Sequence, residues 1–431
     1  MKKYPKYKDS GVQWIGQVPE NWSVSKFKYT TQLFTGNSLN DSQKEKYTQE
    51  IDSSYPYVAT KDVTHGNECA NYSNGIYIPI GTKGFKIAPK DSFLLCIEGG
   101  SAGKKMTYLD RDVCFVNKLC CFVSHINSRY QYYYIQSSLF NSMFRQSMQG
   151  LIGGVSISEI QKLPIPLPPL SEQQAIANYL DEQTAKIDKS INLLELQKAD
   201  LQAYHKALIG KAVTKGLNPN AKLKDSGIQW IGQIPEEWSV SKLKYAGEAR
   251  NGLTYSPDDI CDAGTLVLRS SNIQDSRLDF NDNVYVGSAP DTLKMQQGDI
   301  LICSRNGSIA LVGKCAYIPN DMDAVFGAFM MRFRPKCANR FMFYVVQEAI
   351  QSYKAYYATS TVNQLTVDVF GNMQIPLPSR IEQEAIANYL DKKTSDIDTA
   401  IERINAQITE LQAYRTALIS EAVTGKIDVR P

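Results

Sequence analysis

SEQQAIANYLDEQTAKIDKSINLLELQKADLQAYHKALIGKAV, at residues 171–213, is answered 210 residues later by IEQEAIANYLDKKTSDIDTAIERINAQITELQAYRTALISEAV, at residues 381–423. The copies share IANYLD, LQAY and ALI. Leu180, Ile187, Leu194, Leu201 and Leu208 recur every seven residues in the first, and Leu390, Ile397, Ile404, Leu411 and Leu418 do so in the second. A seven-residue apolar repeat keeps one seam of a helix turned toward a partner helix. Neither stretch contains proline, and Gly210 is the one internal glycine. Each is therefore expected to form a single helix, roughly 60 Å long at 1.5 Å per residue.

A second repeat lies upstream of these helices. KYKDSGVQWIGQVPENWSVSKFKY at 6–29 matches KLKDSGIQWIGQIPEEWSVSKLKY at 222–245. The chain is thus two tandem halves, each a globular region followed by a long helix, and the halves are too long for solenoid repeats. This divides the chain into a globular region at 1–169, a helix at 170–215, a globular region at 216–379 and a helix at 380–426. The expected fold class is α+β: two mixed α/β domains separated by two long antiparallel coiled-coil helices, with a pseudo-two-fold from the tandem repeat. An antiparallel pair lets the second globular region connect the end of one helix to the start of the next without spanning a helix length. By the same symmetry the C-terminal SEAVTGKIDVRP should lie near the N-terminal MKKYPKYKDSGVQW.

Strand-like runs in the first globular region are YPYVAT (55–60), GIYIPI (75–80), SFLLCI (92–97) and VCFVNKLCCFVS (113–124), followed by a helical stretch at 129–148. In the second they are TLVLRSS (265–271), GDILICSRNGS (298–308) and AVFGAFMMRFRP (324–335), followed by a helical stretch at 341–358. PIPLPP at 164–169 is an extended lead-in to the first long helix. Ser171 with Gln174, and Ser379 with Glu382, have the spacing of capping boxes. Thr184, Lys198 and His205 interrupt the seam; they are either tolerated rim positions or a surface for a partner.

With 431 residues and a net charge of +3, the chain holds two to three domains and is not basic enough overall to argue for nucleic acid by itself. Nine cysteines without a CxxC, and three histidines not spaced with them, argue against a disulfide framework or a zinc site. Buried free thiols in a reducing, cytoplasmic setting are the expectation. No apolar h-region and no run of 18 apolar residues occurs.

The duplicated WIGQVPENW and WIGQIPEEW, the duplicated PLPPLSEQQAIANYLD and PLPSRIEQEAIANYLD, and the closing LQAYxxALI resemble the DNA-specificity subunit of a type I restriction-modification enzyme over essentially the whole chain. The resemblance implies two target-recognition domains spaced by the helices, each reading one half of a two-part target in double-stranded DNA. It implies a chain that is not itself catalytic and binds no cofactor. Two methyltransferase (modification) subunits would bring S-adenosylmethionine, and two restriction (motor-nuclease) subunits would use ATP and Mg. Two different cores on equivalent scaffolds then mean an asymmetric target. B-DNA repeats every ~34 Å, a scale that the long helices suit. The other reading is a structural protein-interaction scaffold without sequence-specific DNA binding.

Base edges in the major groove are read by Arg to guanine, Asn or Gln to adenine, and Ser or Thr to either. Such residues gather at strand ends in the second region: Arg269, Ser270, Ser271 and Asn272; Ser304, Arg305, Asn306 and Ser308; Ser360, Thr361, Asn363 and Gln364. The corresponding places in the first are Thr60, Lys61 and Asp62; Ser101, Lys104 and Lys105; Ser156 and Ser158. Asn37 with Ser38, and Asn251 with Thr254, form a further matched pair of turns. Individually each is also an ordinary turn former, and the lysines and arginines suit phosphate better than bases. Trp14, Trp22, Trp230 and Trp238 sit in the duplicated flanks, which assigns them to packing rather than base stacking. The tyrosine-rich 131–134 run is a helix core or a methyltransferase-facing patch.

GGSAGKK (99–105) and NGSIALVGKC (306–315) miss the spacing and the Ser or Thr of a phosphate loop. No adenine-methyltransferase, HExxH or GxSxG motif is present.

Overall fold

The structure, a computed structural model, describes residues 2–48, 53–63, 69–148, 153–337, 340–357 and 364–430. The chain divides into two compact units, Met1–Glu195 with Asn405–Pro431, and Leu196–Ile404. Both boundaries fall inside the long helices, which span Leu170–Lys215 and Arg380–Val423. Glycines in the left-handed region, Gly216 (φ 69°) and Gly425 (φ 71°), follow the helix ends.

In the first unit two four-stranded sheets form the globular part. Thr31–Thr35, Leu119–Ser124, Phe93–Cys96 and Met106–Tyr108 lie side by side, all antiparallel. Tyr77–Pro79, Ser54–Val58, Val113–Phe115 and Ile87–Ala88 form the other sheet, in which the middle two strands are parallel. The run expected as one strand at 113–124 is therefore two strands in different sheets. All of Val113–Phe115 and the first four residues of Leu119–Ser124 are buried. A run buried on both faces shows no alternation, so the elbow at 116–118 left no periodic trace. The helical stretch is also split, into Ser128–Gln136 and Ser138–Gln146. Ser137 makes the break: its ψ is 150° and its Oγ accepts from Phe140 N at 3.2 Å.

The second unit repeats the plan. Gly247–Asn251, Met330–Pro335, Ile300–Cys303 and Cys315–Tyr317 form one sheet. Ile260–Cys261, Tyr285–Val286, Thr265–Leu268 and Ala324–Phe326 form the other, again with one parallel pair. The run at 324–335 splits at an elbow as its counterpart does. Here the helix Arg340–Tyr357 is continuous, because Glu348 stands where Ser137 does and offers no short capping oxygen.

Each unit shows the antiparallel arrangement on its own. In the first, Ile176, Leu180 and Ile187 share a core with Leu418, Ile419 and Ala422, so the start of one helix meets the end of the other. In the second, Leu208, Ile209 and Ala212 share a core with Ile386, Leu390 and Ile397. Leu194, Leu201 and Leu411 are only half-buried.

A duplicated polar joint fixes each globular part to its helix. Asp181 accepts from Arg129 and from Tyr133 Oη at 2.6 Å, and Thr184 Oγ1 lies 3.2 Å from the same phenol. Asp391, Arg340, Tyr344 and Thr394 repeat this at 2.6, 2.7 and 3.3 Å. Thr184 is thus neither rim nor partner surface; it is buried in the joint. Gln131, Tyr132, Tyr133 and Tyr134 are all buried, which makes the tyrosine run helix core.

Trp22 and Trp238 are buried, and Gly425 and Gly216 at the helix ends lie against their rings. Trp22 Nε1 donates to Glu172 Oε1 at 3.0 Å, and Trp238 Nε1 to Glu382 Oε2 at 2.9 Å. This changes both capping boxes. The first helix starts at Leu170, ahead of Ser171, with Glu172 N bonded to Pro169 O. Ser379 Oγ does accept from Glu382 N at 3.4 Å, but the Glu382 carboxylate is committed to the indole. As expected, the C-terminus meets the N-terminal segment: Asp428 N bonds Lys2 O at 2.8 Å, and Lys426 Nζ bonds Gln17 O at 2.9 Å.

Glu172 also accepts from Tyr4 Oη and from Asn21 Nδ2 at 3.1 Å. Burial first, and Glu172 second, push the Tyr4 phenol well up. Glu172→Ala leaves the Trp22 and Tyr4 donors unpaired in the interior and should destabilise the first unit by about 2–4 kcal/mol. Glu382→Ala removes one such bond from a half-buried carboxylate and should cost less. Urea unfolding followed by unit-specific proteolysis would separate the two effects; equal losses would contradict the assignment.

Candidate nucleic-acid interface

In the second unit, six chain segments converge on a concavity of about 1170 Å³. Thr265–Leu268 ends at Arg269 and runs into a 3-10 turn, Ser270–Asn272. Asn272 builds that turn: its Oδ1 takes Arg269 N at 2.9 Å, and its Nδ2 donates to Asp279 O at 2.9 Å. Ile300–Cys303 ends at Ser304, whose Oγ donates to Phe329 O at 2.9 Å. Arg305 follows, exposed, with its guanidinium 5.4 Å from the Phe329 ring centre and its backbone bridged to Gln364. Asn306 Nδ2 donates to Ser270 Oγ at 3.3 Å, tying two of the segments together. Thr254 comes in from the loop after Gly247–Asn251.

The concavity is lined by Thr254, Arg269, Ser270, Ser271, Arg305, Asn306 and Gln364, all sequence candidates, together with Phe329. Arg269 Nε and Ser271 Oγ are buried there without a partner among the described residues, while Arg269 Nη2 pairs with Asp282 at 2.8 Å. Asn272 and Ser304 are buried and spent on the fold. Ser308 N donates to Asn306 Oδ1 at 3.0 Å, and Asn251 ends a strand. Ser360, Thr361 and Asn363 lie outside the described residues.

The first unit has the same turns with other side chains. Asp62 Oδ2 takes Ala59 N at 2.8 Å and is buried, as Asn272 is. Lys105 Nζ braces the turn at Thr60 O, 3.0 Å away, as Lys314 Nζ does at Ile273 O, 3.1 Å away. Lys61 and Lys104 are exposed, and Lys104 Nζ touches Gly100 O at 3.2 Å. Ser101 is half-buried in the same loop. Ser156 caps Ile157–Lys162, with Ser158 Oγ 2.8 Å from its hydroxyl. Asn37 Oδ1 accepts from Lys86 N at 2.9 Å, and Ser38 Oγ donates to Asn117 Oδ1 at 2.7 Å. Gly36 and Gly252 precede these loops, where a Cβ would stand 1.9 Å from Phe115 O and 2.2 Å from Phe326 O. Ser38 and Thr254 are true counterparts; Asn37 corresponds to Leu253.

Two groups escaped the sequence reading. Phe329 is 60% exposed on the second elbow, hidden in what looked like a strand. Glu98 occupies the place of Arg305, as its backbone bridge to Gly154 shows. Setting LLC (94–96) on LIC (301–303) brings Glu98 onto Arg305. Burial pushes the Cys96 and Cys303 thiols up, so both strand ends present neutral sulfur. Of the nine cysteines, all free, Cys96, Cys114, Cys120, Cys121, Cys303 and Cys315 are buried. Among the described residues no cluster of His, Cys, Asp or Glu could hold a metal ion, and no helix is long and apolar enough to cross a membrane. Guanidinium, amide and hydroxyl groups on a concave face suit hydrogen bonding to base edges.

A family model for the type I restriction modification DNA specificity domain matches residues 19–196 and again 235–410. The chain is 26% identical over 321 residues to the type I restriction enzyme EcoKI specificity subunit of Escherichia coli, covering 70% of this chain and 65% of that one. It is 25% identical over 436 residues to the MjaVIII specificity subunit of Methanocaldococcus jannaschii, covering 96% of this chain and 95% of that one. A solved chain described under complex assembly and conformational transition of the type I R-M system shares the fold, with a TM-score of 0.73 at 14% identity. That match covers 95% of this chain and 99% of that one.

Proposed function

The chain belongs to the type I restriction-modification specificity subunits, and from that premise we propose that it reads an asymmetric, two-part DNA target, one half per globular region. The observation that carries the reading is one scaffold built twice with different side chains at equivalent places. Arg269, Arg305 and Gln364 in the second unit occupy the places of Ala59, Glu98 and Gly154 in the first. Equivalent backbones aim the two sets alike, and unlike side chains select unlike bases. Exposed Lys61 and Lys104 suit phosphate. The chain contributes no chemistry of its own. Two adenine-N6 methyltransferase subunits with S-adenosylmethionine, and two motor-nuclease subunits with ATP and Mg, would dock on it.

The test is methylation of randomised duplexes by the chain together with its methyltransferase subunits. Two unequal half-sites separated by an unread gap are expected. An assembly that forms but shows no sequence preference would favour the protein-interaction scaffold instead.

A further inference from the structure

We propose that Glu98 and Arg305 are paired base-reading residues that select opposite members of a C·G pair at the same position of the two half-sites. Glu98 would select cytosine, and Arg305, with Gln364 beside it, guanine. This rests on the two-reader function above and adds to it the residues and the bases.

The two residues share one backbone address. Each lies two residues beyond a strand-end cysteine whose Sγ donates to its carbonyl: Cys96 to Glu98 O at 3.4 Å, Cys303 to Arg305 O at 3.6 Å. The residue before each donates its N–H to the elbow, Ile97 to Lys118 O at 3.0 Å and Ser304 to Phe329 O at 2.9 Å. That same residue accepts from the incoming last segment, Val155 N to Ile97 O at 2.9 Å and Leu365 N to Ser304 O at 2.7 Å. Each makes an antiparallel bridge with that segment, Glu98 to Gly154 and Arg305 to Gln364. Side chains leaving such matched backbones start from the same place.

Both side chains are exposed and uncommitted. Neither the Glu98 carboxylate nor the Arg305 guanidinium has a hydrogen-bond or ion-pair partner among the described residues. Of the neighbouring charged groups, Arg269 pairs through Nη2 with Asp282, and Lys105 and Lys314 are held by backbone carbonyls. Phe329 under the guanidinium holds it in place without using its donors.

The chemistry then separates them. A carboxylate only accepts and is repelled by phosphate, so its favourable partner in the major groove is an amino group such as cytosine N4. A guanidinium only donates, and its fork matches guanine O6 and N7. With one approach geometry, the two half-sites carry the same base pair in inverted orientation.

The test uses the full chain with its methyltransferase subunits on randomised duplexes, with methylated adenines read by sequencing. Glu98→Gln should relax a cytosine in the first half-site by roughly tenfold or more, the scale of one base contact, and leave the second unchanged. Arg305→Ala should do the same to a guanine in the second half-site. The two relaxed positions should stand equally far from the methylated adenine of their own half-sites. Glu98→Arg should convert the cytosine preference to guanine, a gain that misfolding cannot produce. A wild-type two-part motif that none of these variants alters, or relaxed positions at unequal distances, would overturn the inference while leaving the two-reader function standing. Absence of any motif in the wild type would overturn both.

Discussion

Gly252→Ala should unfold the reading face of the second unit. A Cβ there would lie 2.2 Å from Phe326 O and 2.3 Å from Gly327 O, and both are backbone atoms that no rotamer change can remove. Relief requires the loop to leave the elbow. That breaks Leu253 N to Phe326 O at 2.7 Å and Gly252 N to Met330 O at 3.2 Å. Two lost half-buried hydrogen bonds plus local repacking amount to about 3–5 kcal/mol. Domains are stable by only about 5–15 kcal/mol, so most of the margin goes. Gly36→Ala should do the same in the first unit, where the clash with Phe115 O is at 1.9 Å. Gly307→Ala, with nothing within 4 Å of its Cβ, is the control and should be silent. Thermal unfolding with limited proteolysis reads all three. A stable Gly252→Ala protein with native protease resistance would contradict the close approach.

Adding one heptad to each long helix should lengthen the unread gap and leave the half-site bases alone. Residues 170–195 and 405–423 belong to the first unit, and 196–215 and 380–404 to the second. Seven residues keep the apolar seam in register and add about 10.5 Å at 1.5 Å per residue. That is about three base pairs at 3.4 Å each. The joints at Asp181 and Asp391 are untouched, so each globular part keeps its own geometry. Motif mapping on the lengthened chain decides the matter. An unchanged gap, or altered bases in either half-site, would sink the view that the helices act as a spacer.

The helices and the duplication were legible because repetition is visible in one sequence. The heptads, the WIG motifs and the AVT ending each occur twice at nearly constant spacing. Trp22 and Trp238 were legible as packing residues for the same reason, whereas Trp14, read the same way, is 55% exposed. The strands were found, but not the elbows at 116–118 and 327–329, since strands buried on both faces read as one apolar run. The site was legible by residue type more than by role. Asn272 and Asp62 carry base-reading chemistry on paper, yet both are spent holding turns. Lys105 braces a carbonyl instead of meeting phosphate. Glu98 was missed because its match to Arg305 lies in the backbone bonds of the two strand ends, not in residue type.

The most direct measurement is the position of N6-methyladenine in DNA from cells carrying this chain with its methyltransferase subunits. A target of two different half-sites with a fixed unread gap is predicted. A single continuous motif, or two identical half-sites, would contradict two unlike readers on one repeated scaffold.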